Sequence, residues 1–158
     1  MLTEFPFEAV KALTFRSRPQ PLSATLRPLY RISLLMLVLR LNCLRGNASL
    51  LKLQFFNWMM KSEHLRDHIS RQARTQSVFT LGVIHMDPMV NLALKYAFAE
   101  GLVAVASNSK YELTAKGTQF IEAILADSDG PLSAEREFLE HLGHRISEVK
   151  LHRDLELQ

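Results

Sequence analysis

The sequence predicts a mainly α-helical domain of the α+β class that carries one small β-hairpin. Two apolar stretches have helical periodicity, Asp87-Pro88 is typical of a helix start, and a polar turn at 107–109 separates two short runs of β-forming residues. The chain has 158 residues, of which 47% are apolar and 22% charged, so it is long enough to bury one core. This composition excludes a disordered chain and a disulfide scaffold.

Residues 1–28 are predicted to form an N-terminal arm, because prolines at positions 19, 21 and 28 interrupt any helix there. The chain starts without a basic segment followed by an apolar run, so we expect no secretory signal and a cytoplasmic location. The arm also offers aromatic anchors for a partner protein and, together with the residues just after it, cations for non-specific contact with nucleic-acid phosphates. The aromatic candidates are Phe5, Phe7 and Phe15, and the cationic candidates are Arg16, Arg18, Arg27 and Arg31.

Two central helices are predicted at 29–45 and 50–61. Both are apolar over most of their circumference, which indicates that they are buried in the core. The first stretch is shorter than the ~20 residues that a bilayer requires and is interrupted by charge, so we interpret it as a core helix. Gly46 is a natural helix stop, and Ser49 is a natural cap for the second helix.

A polar third helix is predicted at 63–74, and a β-strand at 78–85, where β-branched and aromatic residues are frequent. The fourth helix, 88–100, has the clearest boundaries in the chain. Asp87 caps it, proline occupies its first position, and Gly101 ends it.

The predicted hairpin joins strands at 102–106 and 110–114, and Thr114 is placed to cap a helix at 115–126. After a linker at 127–131, residues 131–158 are predicted to form a separate segment with one amphipathic helix that begins at Ser133. We expect its apolar stripe to bind a partner. The stripe consists of Phe138, Leu139, Leu142, Ile146 and Val149.

This order of elements is that of a winged-helix-like domain over residues 29–126, with one extra helix and the hairpin as its wing. The helix in the recognition position exposes chiefly Asn91, Lys95 and Phe98, and the wing adds only Lys110. Side chains that read DNA are mostly cations and amides in larger number. The sequence therefore predicts a poor DNA-reading face, and Phe98 is a candidate for a protein interface.

Three segments resemble the middle component of ABC-three-component systems, the Lamassu-type bacterial antiphage operons. They are RPLYRISLLMLVLR at 27–40, RGNASLLKLQFFNW at 45–58 and DPMVNLALKYAFAEGL at 87–102, followed by the wing. The resemblance extends over about residues 27–117. It implies a non-enzymatic subunit between an SMC/Rad50-like ATPase and an effector, often a nuclease, with no catalytic residues to assign.

Residues that could support chemistry are few and isolated. His64 and His68 have the i, i+4 spacing of a metal-binding pair, but the sequence offers no evident third ligand. Cys43 lies in an apolar helix without a neighbouring base, and the six glycines do not form a phosphate-binding loop. We therefore expect no enzymatic activity, no metal and no cofactor.

Two other functions remain open at this level. Residues 1–78 carry a net charge of +8 and residues 79–158 a net charge of −5, so the first half could serve a DNA-binding transcriptional regulator. A homodimeric scaffold joined through residues 133–150 is the third possibility. If the protein is instead the accessory subunit that the resemblance implies, we expect any contact with DNA to be non-specific and to occur within the complex. We expect no contact with a membrane.

Overall fold

The computed structural model describes residues 27–79 and 84–156. Over these residues the protein is mainly helical and carries a small antiparallel sheet. The helices are α1 (Pro28–Asn42), α2 (Leu50–Met60), α3 (Glu63–Thr75), α4 (Pro88–Ala99), α5 (Ala115–Leu125), α6 (Ser133–Leu142) and α7 (Glu148–Glu156). The strands are β1 (Asn47–Ala48), β2 (Val103–Val105) and β3 (Tyr111–Leu113).

Helix α1 lies at the centre of the fold, as its nearly uniform apolar surface predicts. Every residue from Arg31 to Leu39 is buried, and α2, α4, α5 and α6 all contact this helix. Surrounding one apolar helix on all sides removes the largest area of its side chains from water. Among the described residues, no helix combines the length and the apolar character needed to cross a membrane.

The sheet has the strand order β1-β3-β2. The predicted hairpin is confirmed: Val103 lies opposite Leu113 and Val105 opposite Tyr111. Strand β1 was not predicted, because two residues are too few to produce a periodic signal. It pairs with β3 through Ala48 and Tyr111, so the first strand of this winged-helix-like domain completes the sheet beside the wing.

Two glycines are required where α4, β2 and α5 meet. Gly101 follows α4 with φ +67°, a conformation that other residues adopt only with strain. It allows the Leu102 amide to donate to the Ala97 carbonyl at 2.8 Å and so end the helix, as predicted. A Cβ atom at Gly117 would lie 2.0 Å from the carbonyl oxygen of Leu102, so the first turn of α5 can approach the residue just before β2 only with glycine there.

The C-terminal segment corrects two expectations. It forms two helices rather than one, because Gly143 adopts φ +55° and ends α6. It is also not separate from the winged-helix-like part, since Leu139, Ile146 and Leu151 belong to the common core and are fully buried. Asn42 of α1 donates to the carbonyls of Leu139 at 2.9 Å and Gly143 at 2.8 Å.

The predicted strand at 78–85 is not present in the described part of that range. Residues 77–79 and 84–87 are irregular, and residues 80–83 lie outside the described residues. Phe79 is fully buried instead, and its backbone amide donates to Asp154 at 3.1 Å. The aromatic residue at position 79 therefore serves the core, whereas the neighbouring Val78 is 45% exposed.

Candidate partner-binding surface

The start of α4 is held in place by Asp87. One carboxylate oxygen of Asp87 accepts a hydrogen bond from the backbone amide of Met89 at 2.9 Å, which caps the helix as predicted. The other oxygen lies 2.7 Å from the Arg31 guanidinium and 2.9 Å from the Lys61 ammonium. Asp87 thus joins the N-terminus of α4 to cations from α1 and from the residue that ends α2.

A buried polar network surrounds this carboxylate. Asn57 of α2 accepts from Arg31 at 2.9 Å, so both residues are satisfied although both are buried. Gln54 accepts from the backbone amide of Asp87 at 2.9 Å and donates to its carbonyl at 3.1 Å. Gln54 also donates to the exposed Asn91 at 3.3 Å, one turn into α4. The polar residues of α1 and α2 therefore fix the position of the recognition helix.

The same contacts determine the protonation of Asp87. Burial by itself raises the pKa of this carboxyl group, but the hydrogen bonds from Lys61 and the Met89 amide, together with the charge of Arg31, outweigh burial. The pKa of Asp87 is consequently held well below its usual range. The carboxylate therefore stays ionised throughout the physiological range of pH.

The surface of α4 that faces away from the core is largely apolar, and we call it the α4 face. Val90, Ala93, Leu94 and Ala97 point to the core and are buried. On the outside, Tyr96 is 45% exposed, Phe98 56% and Met89 39%. The α4 face consists of Met89, the half-buried Leu92, Lys95, Tyr96 and Phe98, and the exposed Asn91 lies on the same outer side. Tyr96 and Phe98 are about 160° apart around the helix axis, so they form its two edges.

This face lacks the chemistry of DNA reading. Lys95 is the single cation of α4, and the helix ends at the exposed acidic residue Glu100. The wing contributes Lys110, which is half-buried. Major-groove recognition depends on several donors that reach base edges, with cations on the flanking phosphates. The outer side of α4 therefore offers few groups that could read a base sequence, chiefly Asn91 and Lys95.

The predicted partner-binding residues divide into three groups. Phe98 and Val149 are exposed, with Val149 77% accessible, and Phe138 is half-buried. Leu142 and Ile146 are buried in the core, so their assignment to a binding surface is wrong. Their spacing indicated an apolar stripe correctly, but the stripe packs against this chain's own helices. Phe5, Phe7 and Phe15 lie outside the described residues.

The predicted phosphate contacts are also revised. Arg31 is buried and paired with Asp87 at 2.7 Å, so its assignment to nucleic-acid binding is wrong. Arg27 is exposed at the start of α1. Arg16 and Arg18 lie outside the described residues.

The residues singled out for metal binding do not form a larger cluster in the structure. The rings of His64 and His68 stack with centroids 6.4 Å apart on α3. In residues 27–79 and 84–156, no group of three or more histidine, cysteine or acidic side chains is arranged to hold a metal ion.

Cys43 is buried, and we expect its thiol to be unreactive in the folded protein. Burial raises the pKa of the thiol to about 11, even though Lys52 acts in the opposite direction, so almost none of it is thiolate at neutral pH. Labelling with a thiol reagent should be slow for the native chain and fast in denaturant. Rapid stoichiometric labelling of the native protein would contradict this expectation.

Comparison with known proteins assigns neither a family nor a function to the chain. No protein-family profile matches the chain, no curated protein matches it significantly, and no solved structure matches it significantly.

Proposed function

We propose that this protein is a non-catalytic subunit of a macromolecular complex and that it binds a partner protein through the α4 face. The observation that carries the proposal is that half-exposed aromatic side chains, Tyr96 and Phe98, stand at the two edges of the outer side of α4, whose start is held by the cap and ion pair of Asp87. Single exposed apolar residues are common on any surface, whereas a group of them on one element is typical of a binding site.

The composition of the α4 face favours a protein partner. Aromatic residues and methionine are enriched in the centres of protein interfaces, where they fill pockets of the partner, while scattered charges lie at the rim. Met89, Tyr96 and Phe98 provide the apolar contacts, and Lys95 provides one positive charge among them. The complementary surface is therefore an apolar patch with an acidic residue placed to meet Lys95.

The resemblance of residues 27–117 to the middle component of ABC-three-component systems supplies the class of partner. On this basis the occupant of the α4 face is an SMC/Rad50-like ATPase encoded in the same operon. The protein then links that ATPase to an effector, such as a nuclease, in a cytoplasmic antiphage or antiplasmid defence complex. A DNA-binding transcriptional regulator is less well supported, since α4 presents one cation in the position that would enter the major groove.

Replacing both aromatic residues tests the proposal. We expect Tyr96→Ala with Phe98→Ala to weaken binding of the co-expressed ATPase by about thirtyfold or more, since truncating one interface hot spot costs about 2 kcal/mol. Binding is measured by pull-down and then by titration of the purified subunits. The matched control is Leu44→Ala with Val78→Ala, two residues that are 70% and 45% exposed elsewhere on the surface.

Three results would contradict the proposal. Absence of ATPase binding by the wild-type chain removes the assigned partner. Equal losses in the test and control variants show that the α4 face has no special role. Loss of binding with Phe5→Ala and Phe7→Ala, but not with the α4 variant, moves the docking site to the N-terminal segment.

A further inference from the structure

A positively charged groove lies between α3 and the C-terminal helices. Its volume is about 410 Å³, and within the described part of the chain four cations and no acidic residue line it. Arg74 comes from the last turn of α3, Arg145 from the loop after α6, and Lys150 and Arg153 from α7. We call this cavity the basic groove. It shares no residue with the α4 face.

A buried carboxylate organises one wall of the basic groove. Asp154 is fully buried and lies 3.1 Å from both the Lys150 ammonium and the Arg153 Nε atom. Lys150 also donates to the Ser77 carbonyl at 2.6 Å and lies 4.4 Å from the centre of the Phe79 ring. These contacts hold both cations in defined positions, so little side-chain entropy is lost when they bind an anion.

Donors remain available after these internal contacts are made. Arg153 engages Asp154 through Nε alone, and its side chain is 58% exposed. Arg74 is exposed and makes no ion pair among the described residues. One terminal nitrogen of Arg145 donates to the carbonyls of His141 and Leu142. The basic groove therefore presents unpaired guanidinium nitrogens from both of its walls.

The basic groove opens into a second cavity along α3. This neighbour has a volume of about 580 Å³ and shares Arg74 and Arg145 with the basic groove. Its lining combines two further cations, Arg66 and Arg71, with the acidic residues Glu63, Asp67 and Glu137. Charges of both signs are therefore mixed in the second cavity, whereas the residues that line the basic groove carry positive charge alone.

We propose that the basic groove binds phosphate groups of a nucleic-acid backbone without reading its sequence. Three of its four cations are arginines, whose planar guanidinium groups pair with phosphate oxygens through two parallel hydrogen bonds. Cations continue from the basic groove into the second cavity through Arg66 and Arg71, and such an extended arrangement suits a long chain better than a small enclosed ligand. Phe79, the aromatic residue beside Lys150, is fully buried and not available for base stacking, so the contacts involve the backbone alone.

The test is the binding of a fluorescently labelled DNA duplex of arbitrary sequence, followed by anisotropy at increasing salt. We expect Arg74→Gln with Arg153→Gln to lower the affinity about tenfold in roughly 50 mM salt and to reduce the slope of log K against log salt by about two. The matched control is Lys95→Gln with Lys110→Gln, which removes the same charge from α4 and the wing. We expect this control to retain its affinity within about twofold.

All chains keep residues 1–26, so Arg16 and Arg18 contribute equally in every comparison. Arg74→Gln alone serves as a second variant that leaves the contacts of Asp154 intact, and it should lose part of the affinity with an unchanged melting temperature. A larger loss in the Lys95 and Lys110 control overturns the proposal in favour of contacts by the recognition helix and wing. A wild-type chain that does not bind the duplex also overturns the proposal.

Two competitors identify the source of the anion. Polyglutamate that displaces the duplex as effectively as unlabelled DNA would overturn the proposal and indicate an acidic protein partner. Inorganic phosphate that displaces it at about millimolar concentration would indicate a site for a small phosphate compound and overturn the backbone assignment. Failure of ATPase binding leaves this proposal unaffected, because the basic groove and the α4 face are tested with different variants and different ligands.

Discussion

Removal of residues 131–158 is expected to abolish cooperative folding. Leu139, Ile146 and Leu151 are fully buried, and burying a side chain of this size contributes about 1.5–3 kcal/mol. Their combined loss is comparable with the ~5–15 kcal/mol that separates a typical folded domain from its unfolded state. The deletion also removes the two carbonyl acceptors of the buried Asn42 side chain. Circular dichroism during heating and in urea measures the result.

The matched comparison uses point variants in the full chain. Leu139→Ala should lower the free energy of unfolding by about 2–5 kcal/mol, whereas Val149→Ala, at a 77% exposed position, should change it by less than about 0.5 kcal/mol. A truncated chain that still melts cooperatively would show that residues 27–126 fold alone. It would thereby restore the sequence-based view of the C-terminal segment as an accessory element.

Asp87→Ala is expected to cost about 3–5 kcal/mol of stability, because it leaves the buried Arg31 without its carboxylate partner and also removes the cap of α4. Urea unfolding measures the loss. Asp87→Asn is the matched control, since the amide oxygen can still cap α4 while the charge is lost, and it should cost less. Equal and small losses in both variants would mean that the network around Arg31 does not stabilise the fold.

The lowered pKa of Asp87 gives the stability a defined dependence on pH. The carboxyl group binds its proton more weakly in the folded than in the unfolded state, so its contribution is complete above the unfolded pKa of about 3.9. That contribution is lost as the pH falls below this value towards the folded pKa. The pKa of Asp154 is lowered in the same direction, since hydrogen bonds from Phe79, Lys150 and Arg153 outweigh the effect of burial. Asp87→Asn should therefore flatten the loss of stability in acid, measured by urea titrations at several pH values.

Several elements follow from signals that lie within a few residues of one another. Asp87 and Pro88 begin α4 because one supplies a hydrogen-bond acceptor and the other a fixed φ angle. Gly101 ends that helix, and Thr114 accepts from the Gly117 amide at 3.0 Å to begin α5. Each of these outcomes depends on local chemistry, so the sequence alone was sufficient to predict it.

The polar residues of the two central helices show where sequence reasoning was incomplete. Arg31 is one of the few polar residues of a mostly apolar helix, and Gln54 and Asn57 belong to a polar stripe on another. Their spacing indicated polar faces but not which partner they meet. In the structure all three are buried and converge on Asp87. The polar residues on these two buried helices were the sequence feature from which this network could have been inferred.

The sequence by itself determined the helical character, the hairpin and most helix ends, since capping, periodicity and turn chemistry act over short distances. Only the tertiary structure decided which apolar faces remain exposed. The stripe of the C-terminal segment and the outer side of α4 are both apolar, yet Leu139 of α6 is buried and Phe98 is 56% exposed. The difference arises because burial depends on what packs against a face, and here α1 covers α6 while no described residue covers the outer side of Phe98 to the same extent.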